Sequence, residues 1–196
     1  MGRLILTMHV SADGYIAQPD KGLWPDFGWP PVVQGRLNDV YREAGSVLYG
    51  RGIYEAVVPW WSAVARGATP SDVDVGQEGE EFAQLLAALP KAVVSSTMPE
   101  PGDGTRVIRN EVMRQITELV QAEAKDVVLL AGGRLTGELL TTGLLKEIVL
   151  IVGHRAHRRR ATVGGRRRRA GVLRARRSRA FPTDHQLAAL PRLMSA

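Results

Sequence analysis

Hydrophobic residues along this chain fall into short continuous runs that alternate with stretches of helical spacing. The first run, residues 3–9, is largely apolar and is bounded by the polar turn Ser11-Ala12-Asp13-Gly14, a pattern typical of a buried strand followed by a loop. Residues 34–44 carry apolar side chains at helical spacing instead. The complete pattern predicts strands at 3–9, 46–49, 91–95, 106–108, 126–130 and 146–152, and helices at 34–44, 53–58, 80–89, after a cap at Asn110, and at 135–142.

Proline and glycine predict where this regular structure is interrupted. Residues 19–31 are rich in Pro, Gly and Trp and predict an irregular excursion. The helix at 53–58 is expected to end near Pro59, because proline lacks the N–H that a helix interior needs. Residues 62–79 mix Gly, Pro, Ser and Asp without a period and predict a loop.

The alternation of strand and helix predicts the fold class. Parallel strands need long crossover connections, and these place helices on both faces of the sheet. The expectation is therefore an α/β domain with a mostly parallel central sheet. The length of 196 residues, with 44% hydrophobic residues, suits one such domain with a single sizeable core.

Composition narrows the classes of protein further. The chain has no cysteine, which excludes a disulfide framework, a thiolate metal site and a cysteine nucleophile. Neither a leader-like N-terminus nor an apolar run of the ~20 residues needed to cross a bilayer is present. A soluble protein of the cytoplasm is the expectation.

Charge is distributed very unevenly. The formal net charge is +6, yet twelve arginines and no acidic residue lie between Arg155 and Arg179, which leaves 14 basic and 20 acidic residues elsewhere. The chain is thus an acidic domain that carries one strongly basic segment.

Three glycine-containing turns follow predicted strands and are candidates for ligand binding. They span residues 11–17, 49–55 and 129–136. In open α/β sheets, ligands collect at the edge where the strands end, and the free N–H groups of a helix start can hold phosphate. Each turn alone could equally be an ordinary connection between a strand and a helix, with no role in binding. None matches the G-x-G-x-x-G fingerprint after the first strand, which argues against a Rossmann dehydrogenase.

The order of these motifs resembles the dihydrofolate reductase superfamily. The resemblance is to the branch that includes the reductase domain of the bifunctional riboflavin-biosynthesis deaminase-reductase, and it covers roughly residues 3–152. The matching pieces are Ser11-x-Asp13-Gly14-Tyr15-Ile16-Ala17, Gly50-Arg51-x-x-Tyr54-Glu55, Val94-Ser95-Ser96-Thr97 and Gly132-Gly133. The resemblance implies a three-layer fold of the dihydrofolate reductase type with a mixed sheet, and NADPH as hydride donor.

The resemblance also implies which residues contact the cofactor. Val10, Ser11 and Ile16 would flank the nicotinamide, and Gly50, Arg51 and Gly52 would meet phosphate. Ser95 and Ser96 would lie near the adenosine 2′-phosphate, and Gly132, Gly133, Arg134, Leu135 and Thr136 would follow the pyrophosphate. The 95–97 turn has no arginine or lysine adjacent in sequence, so the sequence leaves the choice between NADPH and NADH open.

Candidates for the chemical step are fewer. Asp26 is one of two acidic residues near the expected position of the substrate-holding acid, and the alternative for it is a solvated loop carboxylate. His9 lies on the first strand beside the expected nicotinamide, and it could equally be a buried core histidine. Tyr54, Glu55, Trp60 and Trp61 could line a flat pocket for a ring, or pack in the core. The histidines and acids show no spacing typical of a metal site.

The C-terminal segment, residues 153–196, departs from the pattern that the resemblance implies, in which further strands complete the sheet. Three interpretations remain: a shifted reading frame, a disordered tail, and a basic arm at residues 153–179 that binds nucleic acid. The domain prediction is thus a nucleotide-binding domain at 1–152 followed by this atypical segment.

Taken together, the sequence predicts an NADPH-dependent reductase that transfers a hydride to a small planar heterocycle of pterin or pyrimidine type. A homodimer is expected from the resemblance. The alternatives are a non-catalytic nucleotide-binding protein and a basic nucleic-acid-binding module.

Overall fold

A computed structural model describes residues 2–11, 16, 30–68, 73–153, 177–180 and 185–190. The order of elements is β1 (Leu4–Val10), α1 (Pro31–Arg42), β2 (Ala44–Gly50), α2 (Arg51–Ala65), α3 (Gly76–Ala88), β3 (Lys91–Val94), β4 (Arg106–Ile108), α4 (Val112–Ala122), β5 (Asp126–Leu130), α5 (Gly133–Thr141), β6 (Leu145–Gly153), β7 (Arg177–Ala180) and β8 (His185–Leu190).

The eight strands of the described residues form one sheet in the order β4-β3-β2-β5-β1-β6-β8-β7. The strands from β1 to β6 are parallel to one another, whereas β8 is antiparallel to both β6 and β7. The predicted fold class, a mostly parallel mixed sheet with helices on both faces, is confirmed. Of the segment predicted to be atypical, residues 154–176, 181–184 and 191–196 lie outside the described residues.

Side chains alternate between two hydrophobic clusters, one on each face of the sheet. Along β2, Val47 and Tyr49 belong to the cluster covered by α1, α2 and α3, and Leu48 belongs to the cluster covered by α4 and α5. All three side chains are fully buried. This pattern follows from the period of two in a strand, and it makes the central strands apolar on both faces.

The helices are longer than the sequence predicted around Pro59. The expectation that a helix ends near Pro59 is wrong, because α2 runs from Arg51 to Ala65 with Pro59 in its interior. The loop predicted at 62–79 is likewise shorter, since α3 already begins at Gly76. Pro59 is exposed, and the buried side chains of Val58, Trp61 and Val64 hold the helix against the core on both sides of it. Tertiary packing here outweighs the local preference of proline.

Replacing Pro59 with alanine should therefore stabilise the protein. The substitution restores a helical N–H and removes an interior proline, which costs up to about 3 kcal/mol relative to alanine. A thermal melt should show a higher midpoint for Pro59→Ala than for the unmodified chain. The matched control is Pro101→Ala in the connection before β4, where loss of proline only loosens the unfolded chain and should lower stability slightly. An unchanged or lower midpoint for Pro59→Ala would contradict the helix assignment.

The described helices include none that is both long and apolar enough to span a membrane.

Candidate functional site

Two of the glycine turns meet at the edge of the sheet where the parallel strands end. The neighbouring strands β2 and β5 end at Gly50 and Leu130. A Cβ atom added to Gly50 would lie 3.4 Å from both the Cα and the Cβ of Ala131, and 3.6 Å from the nitrogen of Gly132. The turn that opens α2 is therefore in van der Waals contact with the turn that opens α5.

Both of these helices begin at a glycine, which has no side chain of its own to cap the helix. Gly50 is the N-cap of α2 and Gly132 is the N-cap of α5, and no side chain in the described part of the chain donates or accepts a capping hydrogen bond at either helix start. Among the residues that the structure describes, a Cβ at Gly132 or at Gly52 would find no atom within 4 Å. Uncapped N–H groups at a helix start carry partial positive charge, which suits an anion such as phosphate.

Arg51 joins the first turn of α2 to the turn that follows β3. Its Nε donates to Oε1 of Glu55 at 2.7 Å, and its Nη1 donates to Oγ1 of Thr97 at 2.5 Å. Arg51 and Thr97 are 46 residues apart in the chain. The structure thus supplies a cation to a turn that has none adjacent in sequence, which sequence spacing could not reveal.

The 95–97 turn is held by its own serine and by a second arginine. Ser95 is buried, and its Oγ accepts from the backbone nitrogens of Thr97 and Met98 at 3.4 and 3.1 Å. Ser96 is exposed. Arg109, directly after β4, donates from Nη1 to the Met98 carbonyl at 2.6 Å and from Nη2 to Glu100 at 2.8 Å. This second cation was also missed from sequence.

The residues after β5 divide between supporting the turn and facing solvent. Thr136 is fully buried, and its Oγ1 donates to the Ala131 carbonyl at 3.3 Å. Leu135 is half-buried against the cluster under α4 and α5. Arg134 has a side chain that is 95% exposed, with one long contact of 3.4 Å to Glu138. The backbone of Gly132 and Gly133 forms the start of α5.

The third predicted turn is described only in part. Val10 and Ser11 are buried at the end of β1, and Ile16 packs partly buried against the cluster under α4 and α5. His9 is half-buried on β1 and lies opposite Ile151 of β6. Asp26, the other predicted catalytic residue, lies outside the described residues.

The aromatic residues predicted near the site lie mostly in the core. Trp61 is buried, with its ring edge-on to Phe82, and Trp60 is half-buried. Tyr54 is buried against Tyr49 with ring centroids 5.6 Å apart. Glu55 is exposed and pairs with Arg51.

The Tyr54 hydroxyl contacts the chain between β3 and β4. It donates to Oδ2 of Asp103 at 3.0 Å and lies 3.2 Å from Oγ1 of Thr105. Oδ1 of Asp103 accepts from the Thr105 nitrogen at 3.0 Å. Burial raises the pKa of Asp103, but the hydrogen bonds from Thr105 and Tyr54 outweigh it and hold that pKa below its ordinary value. Asp103 is consequently an acceptor at neutral pH.

A surface groove of about 400 Å³ lies between α1 and α3, away from the glycine turns. Four of its charged side chains, those of Arg36, Asp39, Arg42 and Glu81, form ion pairs with one another, for example Arg42 with Glu81 at 2.6 Å.

Comparison with known proteins gives the class of this fold and then its family. The structure superposes on Enterococcus faecalis dihydrofolate reductase complexed with NADP(H) and RAB-propyl, with a TM-score of 0.62, 13% identity, and coverage of 97% of this chain and 96% of that one. It matches Acinetobacter baumannii RibD with a TM-score of 0.68 and 13% identity over 97% of this chain, which spans 58% of that protein. A pyrimidine reductase-like protein from Corynebacterium diphtheriae matches with a TM-score of 0.66 and 12% identity, covering 99% of this chain and 93% of that one.

The fold is therefore of the dihydrofolate reductase type, as the motif order predicted. The family model of the RibD C-terminal domain matches residues 3–155, and the chain belongs to that family. A comparison with curated protein sequences finds no match.

Proposed function

We propose that this protein is an NADPH-dependent reductase that transfers a hydride to a small planar heterocycle of pterin or pyrimidine type. The observation that carries this proposal is the edge of the sheet, where two uncapped helix starts lie in contact and Arg51 reaches Thr97. Such an edge offers backbone donors for a pyrophosphate and a guanidinium for a further phosphate. Membership of the RibD C-terminal domain family supports the same assignment.

The residues present fit a dinucleotide with a 2′-phosphate. Gly50, Gly52 and the stretch Gly132–Thr136 would meet the pyrophosphate through backbone N–H groups. Arg51 would bind the 2′-phosphate together with the hydroxyl of Thr97, because its guanidinium already contacts the 95–97 turn. Its Nη2 makes no hydrogen bond to the described residues and could donate to the phosphate. Ser95 and Ser96 would shape this phosphate pocket. When bound, the cofactor supplies the hydride.

The end of β1 would receive the nicotinamide and the acceptor. Val10, Ser11 and Ile16 would pack against the nicotinamide, and their burial would exclude water from the reacting atoms. Reduction of a ring C=N bond also needs one proton at nitrogen. His9 and Asp26 are our candidates for holding that proton, and His9 would approach the site from β1.

The named solved structures agree with this substrate class, since one is a dihydrofolate reductase and another is pyrimidine reductase-like by name. Neither fixes the acceptor for this chain. Nucleic-acid binding by residues 153–179 stays a prediction from sequence, because residues 154–176 lie outside the described part of the structure.

The reaction can be tested directly by following NADPH oxidation with a panel of pterin and pyrimidine acceptors. We expect one acceptor to be reduced with one equivalent of NADPH consumed. Binding of NADPH without oxidation by any acceptor in the panel would favour the non-catalytic alternative. Failure to bind NADPH would reject both nucleotide-based functions.

A further inference from the structure

The first turn of α2 contacts the connection between β3 and β4, residues 95–105, at two separate points. Arg51 reaches Thr97 near the start of this connection, and Tyr54 reaches Asp103 near its end. Arg51 and Tyr54 are one helical turn apart. The same helix start that would bind phosphate is thus tied to the connection that carries the 95–97 turn.

The hydrogen bond from Tyr54 to Asp103 has the features of a strong hydrogen bond. The Tyr54 side chain is buried, and its hydroxyl donates to a carboxylate whose pKa lies below its ordinary value, so the hydrogen bond is charge-assisted. Asp103 is fixed on its other oxygen by the backbone of Thr105. Tyr54 itself is held by its edge-on contact with Tyr49.

The β3–β4 connection can carry the restraint at Asp103 back to Thr97, because its backbone is itself restrained. It contains Pro99 and Pro101, whose backbone φ angles are fixed by their rings. Its start is anchored by the Ser95 nitrogen, which donates to the Ile108 carbonyl at 3.0 Å, and by Arg109 on the Met98 carbonyl. A restraint at Asp103 therefore limits how far Thr97 can move from Arg51.

We infer that Tyr54 and Asp103 are positioning residues for cofactor selectivity: their hydrogen bond holds α2 against the β3–β4 connection so that Arg51 and Thr97 act together on the 2′-phosphate. This inference rests on the proposed function. It goes beyond it by assigning selectivity to two residues that need not touch the cofactor.

The test is the ratio of NADPH to NADH affinity in the full-length protein carrying Tyr54→Phe. This change keeps the ring and its packing on Tyr49 but removes the hydroxyl. We expect the affinity for NADPH to fall about fivefold, the effect of one weakened hydrogen bond to the 2′-phosphate, while the affinity for NADH stays unchanged. A merely destabilising substitution would lower the melting temperature without changing this ratio.

The matched control is Tyr41→Phe. Tyr41 is equally buried, and its hydroxyl makes a 2.9 Å hydrogen bond to Thr7, but this contact joins α1 to β1 and does not involve the β3–β4 connection. Its loss should lower stability and leave the nucleotide ratio unchanged.

A second variant, Asp103→Ala, removes the acceptor of the same hydrogen bond. It keeps the inference testable if Tyr54→Phe does not fold. It should lower the NADPH to NADH ratio by at least as much, and the double variant should be no worse than Asp103→Ala alone, because both changes break the same contact. An unchanged ratio in either folded single variant, with normal NADPH binding by the unmodified protein, would overturn the inference. Failure of the unmodified protein to bind NADPH would instead reject the proposed function.

Discussion

Replacing Arg51 with alanine should lower the affinity for NADPH by roughly 30- to 150-fold while changing the affinity for NADH less than about threefold. The guanidinium is fixed by Glu55 and Thr97 and would give the 2′-phosphate a charge-assisted contact worth about 2–3 kcal/mol. NADH lacks that phosphate and so should lose little. Equilibrium titration with both nucleotides measures the two affinities on the same preparation.

Two further variants sharpen this result. Arg51→Lys keeps the charge but loses the planar fork, so its NADPH affinity should fall between those of the unmodified protein and Arg51→Ala. Arg114→Ala is the matched control, because Arg114 also lies exposed on a helix and pairs with a glutamate four residues on. It should affect neither nucleotide. Equal losses for NADPH and NADH in Arg51→Ala would place Arg51 elsewhere on the cofactor and contradict the 2′-phosphate assignment.

Replacing Leu6 with alanine should have the largest effect on stability. Leu6 is fully buried on β1, where it pairs in register with Leu129 of β5 and Ile148 of β6. Removing a buried leucine side chain costs about 2–5 kcal/mol through lost burial and the cavity left behind. For a chain of this size, each kcal/mol lowers the melting temperature by roughly 2–4 °C.

The control for Leu6→Ala is Val32→Ala. Val32 lies on α1 with 46% of its surface exposed, so its truncation should change stability by less than about 0.5 kcal/mol. Denaturant unfolding of the two variants measures both effects. A Leu6→Ala variant as stable as Val32→Ala would mean that β1 is not at the centre of the sheet.

The sheet was largely predictable from sequence, and the reason is visible in its strands. β1 and β5 are short apolar runs that lie between neighbours and are buried on both faces, so their hydrophobicity gives a strong signal. The extent of α2 was not predictable in the same way. Pro59 is a strong local signal for a helix end, and only the packing of Trp61 and Val64 beyond it overrides that signal.

The candidate site divides along similar lines. The glycine turns at 49–55 and 129–136 were recognisable because they follow strands, and parallel strands end at one edge. Their direct contact through Gly50 and Ala131 depends on the strand order, which the sequence does not contain. The pairing of Arg51 with Thr97 and of Tyr54 with Asp103 joins residues more than 40 positions apart, so no local spacing could reveal it.

The most direct measurement is a thermal-shift titration of the intact chain with NADPH and NADH in parallel. A ligand that binds only the native state raises its stability by an amount set by its concentration relative to Kd. We expect a concentration-dependent rise in melting temperature with NADPH and a smaller one with NADH. A cooperative melt that neither nucleotide shifts would contradict the assignment of this protein as an NADPH-dependent reductase.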